Sequence, residues 1–199
     1  MTKNPTVLII EDELITATSI EELLQDEDYT VIGIARDAVT ARRLCSQAAE
    51  PPAVVICDIN IKGTTQGIEL AGELKELFYC EIIFLTAYAD TKTLEAAFIK
   101  NPVMYVVKPY TDVQLLVALQ MAFHKIYFEE KDLLHSQIFL THREKEIVLL
   151  VSKGMTSKQV AQKLAISFET VKTHRRRMLQ KNNVNSFPHL MYLMKSEAL

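Results

Sequence analysis

Five residues in the first 110 of the chain have the types and spacing to handle a phosphoryl group. Glu11 and Asp12 follow the apolar run "VLII", Asp58 follows "AVVIC", Thr86 follows "EIIFL" and Lys108 follows "VMYVV". An ionised carboxylate is costly in a dry interior unless it is paired or metal-bound, so each run must deliver its polar residue to a compensated edge. Three carboxylates brought together repel and raise one another's pKa. Lys108 supplies one compensating charge, and a hard, oxygen-seeking ion such as Mg2+ would supply the rest. A carboxylate beside a metal and a lysine can attack a phosphoryl group, with the cations neutralising charge on the transferring oxygens. Asp58 is the candidate nucleophile. Taken singly, each of these is an ordinary strand-end residue; only their convergence makes a site.

The elements that must produce this convergence are legible in the hydrophobic periodicity. Short β-branched or apolar runs at 6–10, 30–34, 53–57, 81–85 and 103–107 are separated by stretches with helical spacing, such as "ITATSIEELLQ" and "GIELAGELKELF". Strands alternating with helices imply a parallel sheet, and runs that are apolar on both faces imply helices on both sides. The expected fold is α/β, a flavodoxin-like doubly wound five-stranded sheet of order 2-1-3-4-5, whose function collects at the carboxyl ends of its strands. That order draws the five residues to one pocket.

The net charge of -3 conceals a division along the chain. Through His124, nine Lys and Arg stand against eighteen Asp and Glu; from Leu133 onward, eleven stand against four. An acidic front joined to a basic tail suggests an anionic partner for the tail. No apolar run is long enough to cross a membrane, and the N-terminus lacks a secretory pattern, so the cytoplasm is the expected location. Cys45, Cys57 and Cys80 lack metal-ligand spacing and read as structural.

The tail is purely helical in pattern. Thr141 with Glu144 and Thr156 with Gln159 form capping boxes, Gly154 stops the first helix, and Ser167 caps "FETVKTHRRRMLQK". The two short helices joined by "AIS" make a helix-turn-helix candidate. If residues 168–180 are helical, Val171, His174 and Met178 share one face, Lys172, Thr173, Arg176 and Arg177 the opposite one, and Arg175 sits on the flank. Lys, Thr and Arg on an open helix face suit the DNA major groove. The expected domains are 1–124, a linker over 125–138 that is helical in part, and an all-α helix-turn-helix domain over 139–199.

The motifs "LIIEDE", "VICDINIKG", "FLTA" and "YVVKP", in this order and spacing, resemble the receiver domain of bacterial response regulators over about the first 125 residues. The resemblance implies that Asp58 accepts phosphate from a sensor histidine kinase. It further implies that Glu11, Asp12, Asp58 and the Asn60 backbone carbonyl hold Mg2+, and that Lys108 and Thr86 contact the phosphoryl oxygens. Tyr105 would swing inward as Thr86 moves, and the Lys108-Pro109 bond is a candidate cis peptide. Lys62 stands in "NIKG" where many receivers carry a proline.

Residues 140–184 resemble the NarL/LuxR-type helix-turn-helix. This implies base-facing positions at Lys172, Thr173 and Arg176, and phosphate contacts from Lys158, Arg175 and Arg177. The last helix departs from that pattern, with Phe187 and Pro188 at its start, so its usual role in pairing two DNA-binding domains is open. The combined expectation is a transcription factor and not an enzyme: phosphorylated at Asp58, homodimeric when phosphorylated, and bound to double-stranded promoter DNA. The alternatives are a phosphorylation-independent DNA-binding regulator with the receiver as a dimerisation module, and a Mg2+-dependent phosphatase. The phosphatase would need a second acid where Asn60 stands.

Overall fold

The computed structural model describes residues 5–61, 66–87, 91–129, 138–184 and 186–196. Lys62 and linker residues 130–137 lie outside the described residues. The chain divides into two compact units, Pro5–Thr111 and a second that holds Asp112–Leu199.

In the first unit, β1 (Thr6–Ile10), β2 (Thr30–Ala35), β3 (Val54–Asp58), β4 (Glu81–Thr86) and β5 (Met104–Val107) form one parallel sheet in the order β2-β1-β3-β4-β5. The three central strands are buried along their whole length, whereas β2 and β5, the edges, are half-open. This is why "VLII", "AVVIC" and "IIFL" are continuously apolar: both faces of each are covered. Between the strands run α1 (Leu14–Asp26), α2 (Ala38–Gln47), α3 (Gly67–Phe78) and α4 (Thr91–Ile99). Asp37 caps α2 by accepting from the Thr40 amide at 2.8 Å, and Arg42 makes a two-pronged contact across to Glu73 of α3. The three cysteines are buried free thiols, and burial pushes Cys45 up to about 11 and Cys80 up to about 12.

The second unit comprises α5 (Asp112–Glu129), α6 (His142–Val151), α7 (Ser157–Lys163), α8 (Phe168–Lys181) and α9 (Phe187–Ser196). Both expected capping boxes form, and Ser167 accepts from the Thr170 amide at 3.0 Å to start α8. The helices close around Ile147, Val151, Val160, Val171, Met178, Phe187 and Leu190.

Helix α5 runs past His124 into the segment expected to be linker, and its contacts explain its place in the second unit. Gly154, after α6, has φ +82°, and an added Cβ would lie 2.8 Å from Val117 and 2.9 Å from Val113 of α5. Only a residue without a side chain allows that approach in that backbone conformation. Gln120 donates to the Val151 carbonyl at 2.8 Å; Tyr127 meets the Ser186 hydroxyl at 2.9 Å and stacks on His189 of α9. Among the described residues, no helix is long and apolar enough to cross a membrane.

Candidate functional site

Strand register assembles the acidic pocket. Ile10 of β1 lies beside Cys57 of β3, so Glu11, just past β1, and Asp58, the last residue of β3, stand side by side at the carboxyl edge. Thr86 pairs with Val107 at the ends of β4 and β5, and the Lys108 amide donates to the Thr86 carbonyl at 2.7 Å, which brings Lys108 to the same edge. The Lys108-Pro109 peptide is cis. Oxygens of Glu11, Asp12 and Asp58 all lie within 4.8 Å of one another.

Lys108 bridges two of these acids. Its Nζ donates to Glu11 Oε2 and to Asp58 Oδ2, each at 2.6 Å. The remaining oxygens are held by backbone: Glu13 N donates to Glu11 Oε1 at 3.2 Å, and Asn60 N to Asp58 Oδ1 at 2.8 Å. Burial pushes the Glu11 carboxyl above its usual pKa against the lowering effect of Lys108, as expected for a group only 1% exposed. Burial alone would lower the Lys108 pKa, but its bonds to Asp58 and Glu11 outweigh this and hold it above the usual value. One ammonium cannot balance three carboxylates. The uncompensated charge and the hard oxygen donors fit a divalent ion such as Mg2+.

The backbone that presents Asp58 is tightly fitted. Gly67 N donates to the Ile59 carbonyl at 3.2 Å, and a Cβ on Gly67 would stand 2.1 Å from the Asp58 carbonyl oxygen. No reading of the sequence singled out Gly67 beyond its place in a helix; its signal is a glycine at a helix start nine residues after the reactive acid. Thr86 is 2% exposed, and its hydroxyl is buried with no hydrogen-bond partner among the described residues. Tyr105 is half-buried, its ring 5.8 Å from Phe84 and 5.4 Å from Phe98 with its hydroxyl buried; desolvation raises its pKa. Asn60, the other residue of the expected metal set, is exposed.

In the second unit, α8 presents Arg176 and Arg177 to solvent, with Lys172 and Thr173 half-buried beside them. Lys158 of α7 and Lys172 of α8 each place their ammonium 6.0 Å from the centre of the Phe168 ring. Arg175 corrects the expectation of a flanking phosphate contact. It is 2% exposed, Nη1 donates to the Ser157 hydroxyl at 2.7 Å, and its guanidinium lies 4.4 Å from the centre of the Phe187 ring. At 100° per residue, Arg175 stands about 40° from Val171, inside the buried sector. Its charge concealed a core position that the angle already gave. His174, on the face shared with Val171 and Met178, is half-buried.

Comparison with known proteins agrees with both halves. Residues 7–120 match the response regulator receiver domain family, a match that reaches into α5, and residues 139–194 match the family of bacterial regulatory proteins of the luxR type. The transcriptional regulatory protein DesR of Bacillus subtilis is 31% identical over 188 residues, covering 90% of this chain and 91% of that one. The oxygen regulatory protein NreC of Staphylococcus carnosus is 26% identical over 215 residues, covering 97% and 98%. Full-length FixJ from B. japonicum shares the fold with a TM-score of 0.56 over the whole of both chains, at 22% identity. With a receiver fold that gathers its acids around Lys108 and a helix-turn-helix unit of matching family, the chain belongs to the response regulators that join a receiver domain to a LuxR-type DNA-binding domain.

Proposed function

We propose that the protein is a transcription factor of a two-component system, switched by transfer of a phosphoryl group from a sensor histidine kinase to Asp58. The observation that carries this reading is the pocket in which Lys108 bridges Glu11 and Asp58 beside Asp12. Asp58 supplies the attacking oxygen, and the Asn60 amide orients its carboxylate. Lys108 is placed to follow charge from the acids to the phosphoryl oxygens. Glu11, Asp12, Asp58 and the Asn60 carbonyl would hold Mg2+, which when bound neutralises charge on the transferring group. The buried Thr86 hydroxyl takes a phosphoryl oxygen, and Tyr105 moves with it as the switch. The phosphoryl charge need only bias a two-state equilibrium.

Lys172, Thr173 and Arg176 read base edges in promoter DNA, while Lys158 and Arg177 take phosphates. The working domains are 1–124 and 139–199, with α5 carrying the chain across residue 124 into the joining segment 125–138; the protein acts in the cytoplasm, as a homodimer once phosphorylated, and as a regulator in place of an enzyme. The test is binding to a duplex selected from random sequence, with and without beryllofluoride and Mg2+. A large gain in affinity, absent in Asp58→Asn, is expected; equal binding in both states would replace the switch with phosphorylation-independent binding.

A further inference from the structure

We infer that Arg175 is a positioning residue for DNA recognition: it sets the rotation of α8 by tying the helix to the starts of α7 and α9, and it touches no DNA. The inference rests on the DNA-binding reading of this unit. Ser157, the first residue of α7, is fully buried and accepts the bond from Arg175 Nη1 at 2.7 Å. Phe187, the first residue of α9, is buried beneath the guanidinium at 4.4 Å. One side chain in the middle of α8 thus fixes two other helices at their first residues.

Its place in the helix gives this consequence. Arg175 lies between Thr173 and Arg176, and successive residues point about 100° apart around the axis. Holding Arg175 in place therefore fixes the direction of Lys172, Thr173 and Arg176. A planar, always-charged guanidinium suits this task, because it donates in its plane while its face rests on a ring. Stability alone does not require it, since a buried charged group can often be replaced by an apolar one of similar volume without loss. Van der Waals packing by a flexible apolar chain would fill the space but would not fix the rotation.

The test uses the full-length protein with beryllofluoride and Mg2+, a selected duplex and a random-sequence duplex, over a range of salt concentrations. Variants are Arg175→Met, Phe187→Leu, which leaves every proposed DNA contact in place, and Arg177→Gln as a phosphate-contact comparator. Thermal unfolding and circular dichroism report folding of each. In Arg175→Met and in Phe187→Leu, the preference for the selected duplex should fall about tenfold, the value of one good base contact, with random-duplex binding unchanged. The slope of log affinity against log salt should match wild type, whereas Arg177→Gln flattens it by about 0.9. A slope flattened by about 0.9 in Arg175→Met would make Arg175 a phosphate contact and overturn the inference. Unchanged preference in both variants would make it a filler of the core, also overturning it. If Arg175→Met does not fold, Phe187→Leu decides alone by the same criterion. Wild-type protein that binds neither duplex would instead overturn the DNA-binding reading, and the inference with it.

Discussion

Lys108 and Arg175, one in each compact unit, are both drawn inward, and they are held in opposite ways. Lys108 is 20% exposed and shared between two carboxylates at 2.6 Å. Arg175 is 2% exposed and is held by a hydroxyl and an aromatic ring. A cation paired with acids at an open edge can exchange partners when a ligand arrives. A cation sealed against a hydroxyl and a ring can only hold its surroundings in place. Charge inside a protein therefore carries no single meaning; access to solvent and the identity of the partner decide between chemistry and architecture.

The largest effect should come from removing the acid that Lys108 serves. Asp58→Asn should reduce phosphoryl incorporation from a small-molecule phosphodonor to background while circular dichroism stays unchanged; labelling of the variant would break the assignment. Gly67→Ala comes next. Its Cβ would have to displace the Asp58 carbonyl from 2.1 Å, and overpacking against backbone should cost about 3 kcal/mol in urea unfolding. A cost near zero would mean that the loop presenting Asp58 is slack.

Lys108→Met leaves Glu11 and Asp58 facing each other uncompensated. Breaking a fully buried pair costs roughly 3–5 kcal/mol, and partial exposure of Lys108 reduces the expected loss to about 2 kcal/mol. Added Mg2+ should restore more stability to this variant than to wild type, since the acids then depend on the ion alone. Equal stabilisation of the two proteins would argue that Lys108, not an ion, is the main partner of the acids.

The smallest expected effects lie in the second unit. Thr141→Ala removes the α6 cap and should cost about 1 kcal/mol, read as earlier unfolding of that unit. Glu144 pairs there with Lys181. Burial would raise its pKa, but the bonds from Lys181 and from Thr141 hold it below the usual carboxylate value. A folded pKa below the unfolded one gives stability that is present above the unfolded pKa and is lost as pH falls through the folded value. The stability advantage of wild type over Glu144→Gln should therefore be full near neutral pH and vanish in acid. An advantage that persisted in acid would trace to the hydrogen bonds of the Thr141 cap.

Much of this protein is legible in its sequence. Continuous apolar runs gave the strands, because a sheet covered on both faces tolerates nothing else, and the acids placed directly after "VLII" and "AVVIC" had to emerge at one edge. Capping boxes were equally readable, because both partners lie within four residues and the bonds are local: Thr141 with Glu144, and Thr156 with Gln159. The partition of Arg175 was misjudged because burial of a charged side chain depends on what covers it, and its cover, Ser157 and Phe187, lies 18 and 12 residues away in the chain.

The sequence by itself determined the elements and the set of acids and cations, since each rests on periodicity or on neighbours close along the chain; the sheet order was expected from the doubly wound fold class. Tertiary structure alone decided which oxygens Lys108 holds, how tightly Gly67 abuts Asp58, that α5 closes against α9, and which groups Arg175 meets inside. Those depend on contacts between residues far apart in sequence, whose distances of a few ångströms are set only when the units pack.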